Sequence, residues 1–123
     1  MIDQYPTSFE EDPQPALDLV IGSWYPGFCA SSFAERMEDT DSEYAESIIS
    51  DLTGFMLYYQ NCQPADWNAD RIEHCLLVDY PRSLFRDDEY VNAVPGVLMF
   101  FFEYLQKSDL QPKAGEIVTL LEM

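Results

Sequence analysis

At 123 residues the chain has the size of one domain, and 47% hydrophobic with 15% aromatic residues gives it enough apolar surface to offset the entropy of ordering, which excludes a disordered acidic tail. Twenty-three Asp and Glu against six Lys and Arg leave a formal net charge of −17; such a surface repels phosphates and has few cations with which to release counterions, so direct nucleic-acid binding is not expected. The longest apolar run, residues 94–102, stops at Glu103, well short of the ~20 residues that cross a bilayer, so no membrane association is expected either.

In chain order, residues 1–15 combine Pro6, Pro13 and Pro15 with the acidic run Glu10-Glu11-Asp12, a composition that resists helix and strand and reads as an extended arm. The start of the chain has neither the basic nor the apolar region of a secretory signal. With three cysteines, an odd number, a closed disulfide framework is disfavoured, and the cytoplasm is the expected compartment. Residues 16–28 are apolar but are interrupted by Gly22 and by Tyr25-Pro26-Gly27, so periodicity leaves helix and strand both open. Phe33, Ala34 and Met37 lie three and four apart, and Ser31 or Ser32 can cap a short helix there.

The best helical pattern follows. Ala45, Ile48, Leu52, Phe55 and Tyr59 recur at helical spacing behind Asp41 or Ser42 as caps, which predicts a helix over 42–60 ended by Asn61-Cys62-Gln63-Pro64. Asn68 caps a second helix with Ile72, Cys75 and Leu76 on one face and Trp67 packed at its start; Tyr80-Pro81 is expected to stop it. A turn or short helix over 87–91 then precedes a helix from Pro95 to Gln106, ended by Lys107-Ser108-Asp109. Pro112 opens a last helix with Ile117, Val118, Leu120 and Leu121 on its apolar face. No stop signal follows it, so the natural protein is expected to be able to continue beyond Met123.

No motif in this pattern carries recognisable chemistry. Cys29, Cys62, His74 and Cys75 are the soft metal ligands, yet two stand alone and two are adjacent, pointing about 100° apart on a helix, so no metal or cofactor is expected. Asp39-Thr40-Asp41-Ser42-Glu43 imitates the start of a calcium loop, but Tyr44 stands where glycine is needed and Ser50 where a bidentate glutamate is needed. The one histidine lies mid-helix away from any nucleophile setting, and there is no phosphate-cradling glycine loop. Arg82 and Arg86 make the one locally positive spot, a candidate contact for a small anion, set against the plainer pairing with Asp79, Asp87 or Asp88.

Trp67, Ile72, Leu76 and Leu77, then Pro81-Arg82, then Pro95, Val97, Leu98, Phe101, Tyr104 and Leu105 together resemble an uncharacterised small helical domain of prokaryotic proteins. The resemblance covers residues 67–105; it implies a helical fold and brings no assigned activity.

These features predict an all-α protein, an irregular bundle of four to six helices behind a proline-containing arm. The functional expectation is a non-catalytic protein-interaction or adaptor domain. The alternatives are a small enzyme using clustered carboxylates and an acidic mimic of nucleic acid. Phe100 and Phe102 flank Phe101, widening the apolar arc to about 200°, more than one core-facing stripe needs. Leu57 and Tyr58 stand more than about 100° from the inward Leu52. These four are the candidate surface for a protein partner or a second copy of the chain, unless their helices are enclosed by the others.

Overall fold

The computed structural model describes residues 14–83 and 88–122, without the side chains of Arg82 and Ser83. Among them are six helices and one 3-10 turn, with no strand, so the helical periodicity led to the observed fold class. The arm assigned to residues 1–15 falls mostly outside the described residues. Its last two residues begin α1, where Pro15 in the first turn forgoes an N–H that has no intrahelical partner.

Helix α1 runs through three segments, Gln14–Leu19, a π turn Val20–Trp24, and Tyr25–Cys29, which settles residues 16–28 as helix. Ser31 caps the single turn α2, Ser32–Glu35, its Oγ accepting from the Ala34 N–H at 3.4 Å. Helix α3, Asp39–Gln60, starts a turn earlier than the expected Ser42. Glu38 holds the extended cap position and its carbonyl already accepts from the Ser42 N–H at 2.9 Å, so Asp41 and Ser42 lie inside the first turn instead of capping it. Carboxylates there complement the helix dipole, which is why the helix extends back into the acidic segment. Asn61 ends α3 in the left-handed region at φ 49°, ψ 46°, its N–H closing onto Met56.

After a 3-10 turn at Pro64–Asp66, helix α4 again has three segments: Ala69–His74, a π turn Cys75–Asp79, and Tyr80–Ser83. Asn68 caps it as expected, accepting from the Arg71 N–H at 2.9 Å. Tyr80-Pro81 does not stop it, and the reason recurs in α1. In both helices a Tyr-Pro pair directly follows the π turn, and the tyrosine N–H reaches back five residues, Tyr25 to Val20 and Tyr80 to Cys75. The wider turn displaces the carbonyls that a proline ring would strike in a regular helix.

Helix α5, Asp88–Lys107, is likewise one helix where a break before Pro95 was expected. Buried Tyr90 and Ala93 ahead of the proline dock on the same core as Val97 and Leu98 behind it, and this shared packing outweighs one lost backbone bond. Asp109, at φ 57°, turns the chain toward α6, Ala114–Leu121. In that turn buried Gln111 donates to the carbonyls of Pro64 and Trp67 at 3.1 Å each, tying it to the 3-10 segment.

The most extensive pairing joins α3 and α5, with α6 along α5 and with α1 and α2 also reaching α5. Edge contacts between rings run through the core from Trp24 to Trp67, Phe102, Phe101 and Phe28, with centroids 5.4–6.1 Å apart. Because neighbours surround α5 on several sides, Phe102 is fully buried, and Leu57 on α3 is as well. Phe102 belongs to the core, and buried Leu57 shares a pocket with Leu17 of α1 and its sequence neighbour Tyr58, so the expectation that these two present an open face to a partner is corrected. Tyr58 is half-buried, and half-buried Phe100 lies under the Arg36 guanidinium at 5.0 Å.

Candidate functional site

The inward side of the second half of α4 is set by its π turn. Because the Tyr80 N–H bonds the Cys75 carbonyl, Cys75 and Tyr80 stack toward α3, and Asp79 joins them, fully buried. Asp79 accepts from Gln60 Nε2 at 3.1 Å; that amide also donates to the Arg71 carbonyl at 2.9 Å, and Arg71 Nη1 donates to the Gln60 carbonyl at 2.7 Å. This clasp holds α4 on the end of α3. Burial first, and then the neighbouring Asp79, push the Cys75 thiol well up, so it stays protonated and packs as a small apolar group.

With the inward positions occupied, the apolar residues between them turn outward. Leu77 is 70% exposed and Val78 37%, while Leu76 is half-buried. Leu76 shares a cleft with two residues of α5, Val91, 56% exposed, and half-buried Val94. Leu76, Tyr80 and Pro81 from α4, Tyr90, Val91, Val94 and Pro95 from α5, and Leu121 from α6 line an open cleft of about 440 Å³. Two of these eight side chains carry a polar group, and both hydroxyls point away into the bundle. Tyr80 donates to the buried Ile48 carbonyl at 2.7 Å, and Tyr90 donates to Asp51. Burial above all, with Tyr90, Cys75 and Asp51 nearby, raises the Tyr80 phenol far above its ordinary range, so it remains a neutral donor. The lining therefore offers shape and apolar contact and no free acid or base.

A second, polar groove of about 440 Å³ lies along α3 between Glu43, Glu46, Ser47, Ser50 and Asp51. It gathers carboxylates as the clustered-acid alternative requires. The carboxyl with raised proton affinity, Asp41, lies outside it in the first turn, desolvated against α5 and next to Glu38.

The remaining sequence candidates are scattered. Cys29 and His74 are exposed, on α1 and α4, whereas Cys62 and Cys75 are buried. Asp39 to Glu43 form the start of α3, and among the described residues no three His, Cys, Asp or Glu side chains converge to hold a metal. The Arg82 side chain and all of Arg86 lie outside the described residues. The cleft itself was missed, although Leu76-Leu77-Val78 signalled it: three consecutive apolar residues on a helix cannot all fit one core-facing stripe. Among the described residues no helix is long and apolar enough to cross a membrane. No family model, no curated protein and no solved structure matches the chain.

Proposed function

We propose that this chain is a non-catalytic protein-interaction domain whose docking surface is the cleft between α4, α5 and α6. The observation that carries the reading is an apolar cleft of about 440 Å³ whose wall includes Val91, 56% exposed, with Leu77, 70% exposed, next to the lining residue Leu76, on a molecule of net charge −17. A contiguous apolar patch on such a surface is a mark of an interaction site, and its volume falls in the range of ligand-holding clefts. The inward commitment of both tyrosine hydroxyls supports docking over turnover, because a bound molecule would meet hydrocarbon and ring faces. Photo-crosslinking in the source cell from position 91, with position 39 at the exposed start of α3 as reference, tests it. A discrete adduct from 91 that is absent from 39 and disappears with Leu77→Glu is expected. Equal adducts from both positions, or an adduct insensitive to Leu77→Glu, would remove the cleft from consideration.

A further inference from the structure

Resting on that reading, we infer that the cleft takes an amphipathic helix of a partner protein, one whose apolar anchors are flanked by Lys and Arg. Shape selects the helix. Among the described residues there is no strand whose edge could pair with an extended peptide, and the cleft is a trough between helices. Its walls, Leu76 to Pro81 and Tyr90 to Pro95, each span five helical steps, about 7.5 Å or roughly one and a half turns. That length receives anchors at i and i+3 or i+4, with an i+7 residue reaching the rim.

Charge selects the flanks. Glu73 lies one turn ahead of Leu76 and Leu77, Asp88 and Glu89 directly precede Tyr90 and Val91, and Glu122 directly follows Leu121; all four are exposed. Acidic positions thus stand near the apolar floor on all three helices, at the start of α5, at the end of α6 and within α4, with Glu89 also accepting from the Tyr44 hydroxyl at 3.4 Å. The described cations are elsewhere: Arg36 lies on Phe100, Arg71 is held in the Gln60 clasp, and Lys107 and Lys113 bracket the α5–α6 turn at the far end of α5. Arg82 and Arg86, whose side chains lie outside the described residues, are next to the cleft in the sequence, but with Glu73, Asp87, Asp88, Glu89 and Glu122 this neighbourhood stays net negative. A second copy of the chain would bring another net charge of −17 onto this rim, and an anionic lipid surface would be repelled in the same way. A basic flank is attracted, and the apolar floor fixes its register.

Calorimetric titration with three synthetic amphipathic helices about four turns long, leucine on one face and lysine, glutamine or glutamate on the other, tests the inference at ~0.1 M salt. The leucine-lysine helix is expected to bind one to one. The pair Leu77→Ser/Val91→Ser should weaken it about tenfold, and Asp88→Asn/Glu122→Gln should weaken it by a similar factor that vanishes at high salt. All four side chains are exposed, so unchanged circular dichroism should accompany these losses, with at most a small change in melting where Asp88→Asn removes a first-turn carboxylate of α5. If the glutamine and glutamate helices bind as tightly as the lysine helix, and Leu77→Ser/Val91→Ser weakens all three, the basic partner is overturned while the docking cleft stands. Lysine-helix binding that ignores Leu77→Ser/Val91→Ser is diffuse attraction to an acidic protein and overturns the inference. A concentration-dependent dimer in sedimentation that Val91→Ser abolishes overturns it too, in favour of a second copy.

Discussion

Gly27 and Tyr104 show how tightly α1 is fitted to α5. A Cβ on Gly27 would lie 2.1 Å from the Tyr104 hydroxyl oxygen and 3.1 Å from the ring carbon that bears it, and that ring is itself packed at 5.9 Å against Phe28. Gly27→Ala should therefore cost about 1–3 kcal/mol, read as a lower melting temperature, and Tyr104→Phe should recover part of the loss by removing the closest atom. Equal stability of Gly27→Ala and wild type would contradict this contact. Asp41 makes the residue-scale prediction for pH. Its carboxyl is pressed toward α5, with Oδ2 2.9 Å from where a Cβ on Gly96 would stand, and this desolvation, followed by Glu38, raises its proton affinity above the ordinary 3.8. Such a group contributes its stability in full below the unfolded value and loses it as pH climbs through the raised folded value. Relative to wild type, Asp41→Asn should therefore gain in melting temperature as pH rises from about 3 to 7; a relative loss over that range would reverse the assignment. Caps were the part of this scale legible in the sequence. Ser31, Asn68 and Asn61 act where their side chains and conformational tolerance suggest. The start of α3 was not legible, because Glu38 caps it by backbone geometry alone.

At the scale of elements, the Tyr-Pro pairs look like stops in the sequence and are passages in the fold. Each proline is carried by a π turn, and what keeps the helix going is the docking of Phe28 after Pro26, and of Tyr80 just before Pro81, on the common core. Gly22, exposed in the first π turn, does not have a positive φ, and a Cβ added there would meet no heavy atom within 4 Å. Gly22→Ala should accordingly raise stability by about 0.5–1 kcal/mol, measured by denaturant midpoint at unchanged slope. A loss would mean that the π turn itself depends on glycine. Phe100 and Phe102 separate surface from core on a single helix. Phe102→Ala, which empties a fully enclosed site between Trp67 and Phe101, should cost about 3–5 kcal/mol, and Phe100→Ala clearly less. Similar costs for the two would mean that Arg36 and its surroundings bury Phe100 as deeply as the core buries Phe102.

Across the whole molecule, the net charge of −17 governs how stability responds to salt. Added salt should raise the melting temperature between about 0.01 and 0.15 M, as the screening length falls from ~30 to ~8 Å and the mutual repulsion of 23 carboxylates weakens. Unfolding at every salt concentration below the molar range would instead mark adaptation to brine. Acidity, helical class and the C-terminal ends of the two long helices were legible in the sequence alone, because net charge is additive and 3.6-residue periodicity is a local property that persists whatever the helix packs against; their starts, Asp39 and Asp88, were not. What only the tertiary structure decided is which apolar residues are left over. Phe102 and Leu57 looked surplus and are buried, since α3 and α5 have neighbours on several sides; Leu77 and Val91 looked ordinary and are exposed, since Cys75, Asp79, Tyr80 and Tyr90 take the inward positions. The number and direction of a helix's neighbours is a property of the assembled bundle, absent from any single helix's pattern, and it is this that opens the cleft between α4, α5 and α6.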